Sequence, residues 1–179
     1  MFETERLILV PLTLADTDNQ FAILSDPEVS RPVGIFSQPF TRKQAQEWCA
    51  YAEKAHSQRA GLLCGIFERA TKRKKDAPAI GYVGTADTNP ARGKDVWEVG
   101  YWIKKEHWGK GYTSEGLRAV MNAAVSNFGV LGFFAELAQT NIKSARVVEK
   151  CGFVCAGEFL KNTPLDPQRP SYLYRKDLV

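Results

Sequence analysis

Long apolar runs are missing from this sequence. No stretch approaches the ~20 residues that a membrane-spanning helix requires. The amino terminus, MFETERLILVPL, carries acidic residues ahead of a short apolar run, which argues against a signal peptide. Cysteine and histidine are sparse. The four cysteines (Cys49, Cys64, Cys151 and Cys155) contain no CxxC pair, and His56 and His107 stand far from them in sequence, so no metal site is expected. Reduced, mostly buried thiols in a cytoplasmic protein are the expectation instead. Neither sign of charge dominates: 24 Lys and Arg oppose 20 Asp and Glu. The resulting +4 favours the approach of an anionic ligand but is too small to mark a nucleic-acid binder. Internal repeats and linkers are also missing. What is present, 179 residues with 44% hydrophobic and 25% charged, suits one domain over 1–179 with a sizeable core.

The periodicity predicts a mixed α/β layer fold. A strand is expected over Arg6–Leu12, a helix over Asp16–Ser25 ended by Asp26-Pro27, and a loop over RPVGIFSQPF at 31–40. Thr41 is placed to cap a helix running to about Ser57. Strands follow at Gly61–Glu68, Ala79–Ala86 and Val96–Lys104, the last dense in aromatic and β-branched residues. From Thr113, Leu117, Val120, Met121, Ala124, Val125 and Phe128 recur at helical steps. A fifth strand at Phe133–Ala138, a helix over Ile142–Cys151 and strands at Phe153–Phe159 and Ser171–Arg175 complete the order. The basic run Arg69–Lys75 reads as a solvated hairpin turn, or more sharply as an import patch or a contact to RNA.

The segment WGKGYTSEG, residues 108–116, lies between the strongest strand and the strongest helix. A helix start leaves backbone N–H groups unpaired at the positive end of the helix dipole. Glycines in the lead-in let those amides converge on an anion. Gly109 and Gly111 supply close approach, Trp108 to Ser114 supply donors, and Lys110 adds a mobile charge. The frame fits neither a Walker loop, which needs a lysine–hydroxyl pair, nor a dinucleotide fingerprint, whose third glycine is replaced by Ser114. A tight structural turn is the plain alternative.

Three segments together resemble the GNAT N-acetyltransferases, in particular their RimJ/RimL-like branch. They are TERLILVPLTLAD near the start, WEVGYWI…HWGKGYTSEGLRAVM in the middle, and Asn141 to Phe153, which follows N-x-x-S-x-x-V-x-E-K-x-G-F. Trp108, Gly111 and Thr113 occupy the three defining positions of the family's Q/R-x-x-G-x-G/A loop, with Thr113 where a smaller residue is usual. The resemblance implies a central mixed sheet of about six to seven strands, splayed between the fourth and fifth, with about four flanking helices. It implies acetyl-CoA as acyl donor. The pyrophosphate would lie on Trp108, Gly109, Lys110, Gly111, Tyr112, Thr113 and Ser114, and the pantetheine along the backbone of Tyr101, Trp102 and Ile103.

The resemblance further implies Glu98 as general base and Ser144 as proton donor to the leaving thiolate. Glu136 is a weaker base candidate with a structural alternative. Asn141 would hydrogen-bond the pantetheine or a phosphate, and Lys143 would meet the ribose 3′-phosphate. Arg146 and Lys150 share Lys143's helical stripe, which also suits a solvated face. Trp97, Trp102, Trp108, Tyr112, Tyr172 and Tyr174 are expected mainly in the core, with Phe36 available to an acceptor channel. The acceptor that the resemblance implies is an amine, either a protein N-terminus or a small molecule, with its choice expected in loops 26–40 and 160–170. Their only carboxylates are Asp26, Glu28 and Asp166, which counts against an aminoglycoside pocket. A non-catalytic acyl-CoA-binding module is the alternative from another class. Monomer and homodimer are both compatible with the sequence.

Overall fold

A single eight-stranded sheet organises the chain, in the order β1-β2-β3-β4-β5-β6-β8-β7. The computed structural model describes residues 1–70, 77–93 and 95–178. The strands are β1 (Phe2–Glu3), β2 (Leu7–Pro11), β3 (Gly61–Glu68), β4 (Gly81–Ala86), β5 (Val96–Ile103), β6 (Gly132–Ala138), β7 (Val154–Lys161) and β8 (Arg169–Asp177). The helices are α1 (Thr17–Leu24), α2 (Pro27–Val33), α3 (Arg42–Ser57), α4 (Tyr112–Phe128) and α5 (Ile142–Lys150). The fourth and fifth strands expected from the sequence are therefore β5 and β6. Of the basic run, residues 71–75 lie outside the described residues.

Two corrections follow. Among the described residues the sheet has eight strands rather than six or seven, because β1 adds a two-residue ladder to β2 through Phe2 and Glu3. The α-helices among the described residues number five, because Asp26-Pro27 ends one helix and starts the next. Asp26 caps α2 by accepting the Glu28 N–H (2.9 Å), and Pro27 fills the first turn, where its missing N–H costs nothing. Part of the expected loop at 31–40 is therefore helical.

Both faces of the sheet are covered. On one, α4 and α5 bury Leu117, Val120, Met121 and Val148 against Leu7, Leu9, Val83, Val99 and Phe133. On the other, α1, α2 and α3 bury Ile23, Leu24, Val29 and Ala45 against Leu63, Tyr82 and Trp102. The alternation of side chains along a strand makes this division. Along β5, Trp97, Val99 and Ile103 join the first layer and Trp102 the second.

Every neighbouring pair in the sheet is antiparallel except β5 and β6. That parallel pair is joined only at Val96↔Gly132, Trp97↔Phe133 and Glu98↔Phe134. Past Glu98 the two strands part, while β5 stays paired to β4 as far as Ile103 and β6 stays paired to β8 as far as Ala138. A wedge thus opens inside the sheet.

Candidate active site

The wedge exposes backbone of known parity. Lys104 donates its N–H to Ile80, next to β4, at 2.9 Å. In an unbulged antiparallel ladder successive residues face opposite neighbours, so Trp102 also faces β4, and Tyr101 and Ile103 turn their amides into the wedge. Trp102 is therefore set apart from the other expected donor-binding residues. Its side chain lies in the opposite layer, where its indole N–H donates to Gln20 Oε1 (3.0 Å). The Tyr101 ring instead turns toward α5 and donates its hydroxyl to the Ser144 carbonyl (3.0 Å). Burial holds that phenol well above its ordinary pKa, so it stays a donor.

At the mouth of the wedge the chain makes one turn of 3-10 helix, Lys105–His107, and enters the glycine loop. Trp108 closes the end of β5, its indole N–H donating to Ile103 O at 2.9 Å. Gly109 (φ 76°) and Gly111 (φ 80°) both occupy the left-handed region, which disfavours a side chain. Gly111 is the N-cap of α4, with no side chain to cap it. The first backbone bond into this helix is Glu115 N–H to Gly111 O (3.1 Å), so the amides of Tyr112, Thr113 and Ser114 keep no intrahelical partner. Ser114 is buried and turns its hydroxyl toward Gly111 O (3.4 Å), leaving its amide as the group it can offer an anion. The Lys110 side chain is exposed.

Two residues that the sequence reading did not single out hold this loop. Arg6, just before β2, pairs with Glu115 on α4 at 2.6 Å and donates to the Lys110 carbonyl at 2.9 Å. The Arg6 guanidinium also lies 4.8 Å from the Tyr112 ring. Burial pushes the Glu115 carboxyl up, but hydrogen bonds from Thr4, the Arg6 N–H and the Arg6 side chain outweigh it and hold it below the usual carboxylate range. No local pattern links positions 109 residues apart; only the ladder β2-β3-β4 against α4 brings them together.

Opposite the loop stands α5. Asn141 is its N-cap and accepts the Ser144 N–H at 3.1 Å, so the spacing of these two residues is that of a cap. The cap uses Asn141 Oδ1 and leaves its amide nitrogen unengaged among the described residues. Lys143 reaches back across the mouth to lie 3.9 Å from the centre of the Trp108 ring. Together, Tyr101–Ser144 and Trp108–Lys143 tie β5 to α5 over the wedge.

On the other face of the sheet, Glu98 is half-buried and accepts a hydrogen bond from Thr88 Oγ1 at 2.6 Å. Lys161 Nζ lies 4.0 Å from Glu98 and 2.8 Å from Glu136. Arg92 pairs with the opposite Glu136 oxygen at 2.5 Å. Burial raises the Glu136 pKa and these two cations lower it, with a net fall below the usual range. With both oxygens bound, Glu136 has the surroundings of a structural group. Thr88, Arg92 and Lys161 were not singled out from the sequence, since strand crossings alone bring them together. Phe36 is buried among Phe40, Trp48 and Trp102 rather than lining an opening. Among the described residues, no group of three or more His, Cys, Asp or Glu could hold a metal ion, and no helix is long and apolar enough to cross a membrane.

Residues 6–154 match the family described as the acetyltransferase (GNAT) domain. The chain belongs to the GNAT acetyltransferase family. It is an acetyl-CoA-dependent N-acetyltransferase. A curated relative, "Uncharacterized N-acetyltransferase YoaA" of Bacillus subtilis (strain 168), is 30% identical over 153 residues, covering 86% of this chain and 82% of the relative. Among solved structures, RimL, the ribosomal L7/L12 alpha-N-protein acetyltransferase in complex with coenzyme A, is similar at a TM-score of 0.78 and 13% identity, covering 98% of this chain and 96% of that one. The microcin C7 self-immunity acetyltransferase MccE, in complex with acetyl-CoA and AMP, is similar at 0.77 and 15%, covering 97% and 93%. At those identities the likeness establishes the fold. The GNAT wedge, its uncapped α4 and the free amides of β5 fit the donor's shape: two convergent glycines for phosphates, and an unpaired strand edge for an extended amide-bearing arm.

Proposed function

We propose that this GNAT enzyme acetylates a primary amine by direct attack, and that the amine is a protein N-terminus, as in the RimJ/RimL-like branch. The observation that carries the reading is the open edge of β5, with an uncapped helix start on one side of the sheet and Glu98 on the other. Acetyl-CoA supplies an activated acetyl group on a thiolate leaving group. The amides of Gly109 to Ser114 and the Lys110 ammonium hold its pyrophosphate, and Lys143 leaves the Trp108 face to meet the 3′-phosphate. The main chain of Tyr101 and Ile103 holds the pantetheine, with the Asn141 amide nitrogen as a further donor. One of the two strand amides faces the thioester oxygen, where negative charge develops.

Glu98 removes the proton from the incoming amine, whose unperturbed pKa of ~7.7–8.0 asks little of a base. Thr88 and Lys161 fix the orientation of its carboxylate. Ser144 Oγ, held on the first turn of α5 by the Asn141 cap, gives a proton to the departing sulfur. The four free cysteines suit a reducing, cytoplasmic setting, and the chain acts as one domain.

Thiol release from acetyl-CoA, measured against a panel of N-terminal peptides and small amines, tests the reading. Release is expected with peptide acceptors, and Glu98→Gln should lower kcat by about 10²-fold or more. Acetyl-CoA binding without thiol release from any amine would instead identify a non-catalytic acyl-CoA-binding module.

A further inference from the structure

The two loops assigned to acceptor choice meet at one residue. Arg169 opens β8 directly across from Lys161 on β7. Cross-strand partners share a face of the sheet, and like charges in that position repel. Lys161 is neutralised by Glu136. Arg169 is not neutralised: among the described residues its guanidinium makes neither an ion pair nor a hydrogen bond, and its Nε is buried without a partner. Burial lowers its pKa from the ordinary value, against the pull of Asp166 and Glu136.

The guanidinium packs on Gly34, where a Cβ would stand 1.9 Å from Nη1. Gly34 ends α2 with φ 74°, so the turn after that helix gives the arginine its place. The loop at 34–40 and the loop before β8 therefore share a wall on the face of the sheet that carries Glu98. Three cations on that face (Arg92, Lys161 and Arg169) stand near three carboxylates (Glu98, Glu136 and Asp166); Glu98 and Glu136 are engaged by partners other than Arg169, and Asp166 acts on Arg169 without pairing with it. Arg169 is the one of these three cations without a polar contact partner among the described residues, and it can pair with a single negative charge. A carboxylate matches it, whereas a dianionic phosphate would bring surplus negative charge next to Glu98 and Glu136.

We infer that Arg169 binds a carboxylate of the acceptor, so that the preferred substrate carries an amine at Glu98 and an anionic group at Arg169. This rests on the transferase reading above and narrows it to acidic acceptors. A half-buried guanidinium with free donors is suited to this recognition, since its planar fork takes a carboxylate through two hydrogen bonds. The carboxylate comes either from a free amino acid or from an acidic side chain close behind a peptide N-terminus.

The test compares matched acceptors in the thiol-release assay. One arm sets α-, β- and γ-amino acids against their amides; the other sets peptides with Asp or Glu at the second or third position against Asn or Gln. The native enzyme should prefer the acid over its amide by at least about tenfold in kcat/KM in one arm, and that arm identifies the source. Arg169→Gln should erase the preference through KM while leaving kcat on the amide and KM for acetyl-CoA unchanged. Equal rates with acids and amides in the native enzyme, or a preference that survives Arg169→Gln, would overturn the inference without touching the transferase reading. Failure of every amine to release thiol would remove both.

Discussion

The helices α3 and α4 begin in opposite ways. At α3, Thr41 and Gln44 form a closed capping box: the Thr41 hydroxyl accepts the Gln44 N–H (3.2 Å) and Gln44 Oε1 accepts the Thr41 N–H (2.8 Å). At α4, the longer helix, the capping position is a left-handed glycine with no side chain, and three amides are left facing out. Both helices pack well against the sheet, so neither start decides whether its helix forms. The difference is one of purpose. A side-chain cap satisfies the amides from within, whereas a glycine cap leaves them open, as the proposed pyrophosphate site requires, and the nearest ion pair, Arg6 with Glu115, sits one turn along the helix.

This contrast can be broken first by filling the open cap. Gly111→Asp puts a carboxylate at the start of α4 and strains a left-handed backbone, with the new Cβ in ordinary contact with Arg6 Nη2 at 3.5 Å. Acetyl-CoA affinity, followed by calorimetry, should fall by about 100-fold or more. The second way is to loosen what replaces the cap. Arg6→Gln should raise the KM for acetyl-CoA by about tenfold with kcat little changed, because the loop loses its hold through Lys110 O.

The same variant has a signature in pH. The Glu115 carboxyl is depressed in the folded protein, so its contribution to stability is full above the ordinary carboxylate value of ~4.3 and is lost as pH falls through the folded value. The melting temperature of the native protein should therefore drop below about pH 4 more steeply than that of Arg6→Gln. The smallest effect belongs to the closed cap. Thr41→Ala should cost about 1 kcal/mol, or ~2–4 °C in melting temperature, and leave acetyl-CoA affinity unchanged.

What could be read from the sequence was local. The β-branched density of β5, the three- and four-residue steps of α4 and the glycines between them each signal within a few positions, and each element lies close to where the pattern placed it. Asn141 and Ser144 stand three residues apart in the sequence, and what joins them in the fold is a cap. Trp102 could have been separated from Tyr101 and Ile103 by the alternation of strand backbone alone. The α2 helix was hidden by an ambiguity, since Asp-Pro both stops a helix and starts one. Arg6 with Glu115, and Thr88, Arg92 and Lys161 around the two carboxylates, had no local signal because the sheet order brings them together.

The wedge beside β5 is also an edge strand, placed in the middle of a sheet. Unpaired strand backbone invites pairing with another chain, and proteins usually protect such edges with bulky or charged side chains. Here the Tyr101 hydroxyl on Ser144 and the Lys143 ammonium over Trp108 stand across the opening as such guards. On the proposed donor path these four residues would also guard the edge against pairing with another chain, and Tyr101→Ala paired with Lys143→Ala would expose both roles at once.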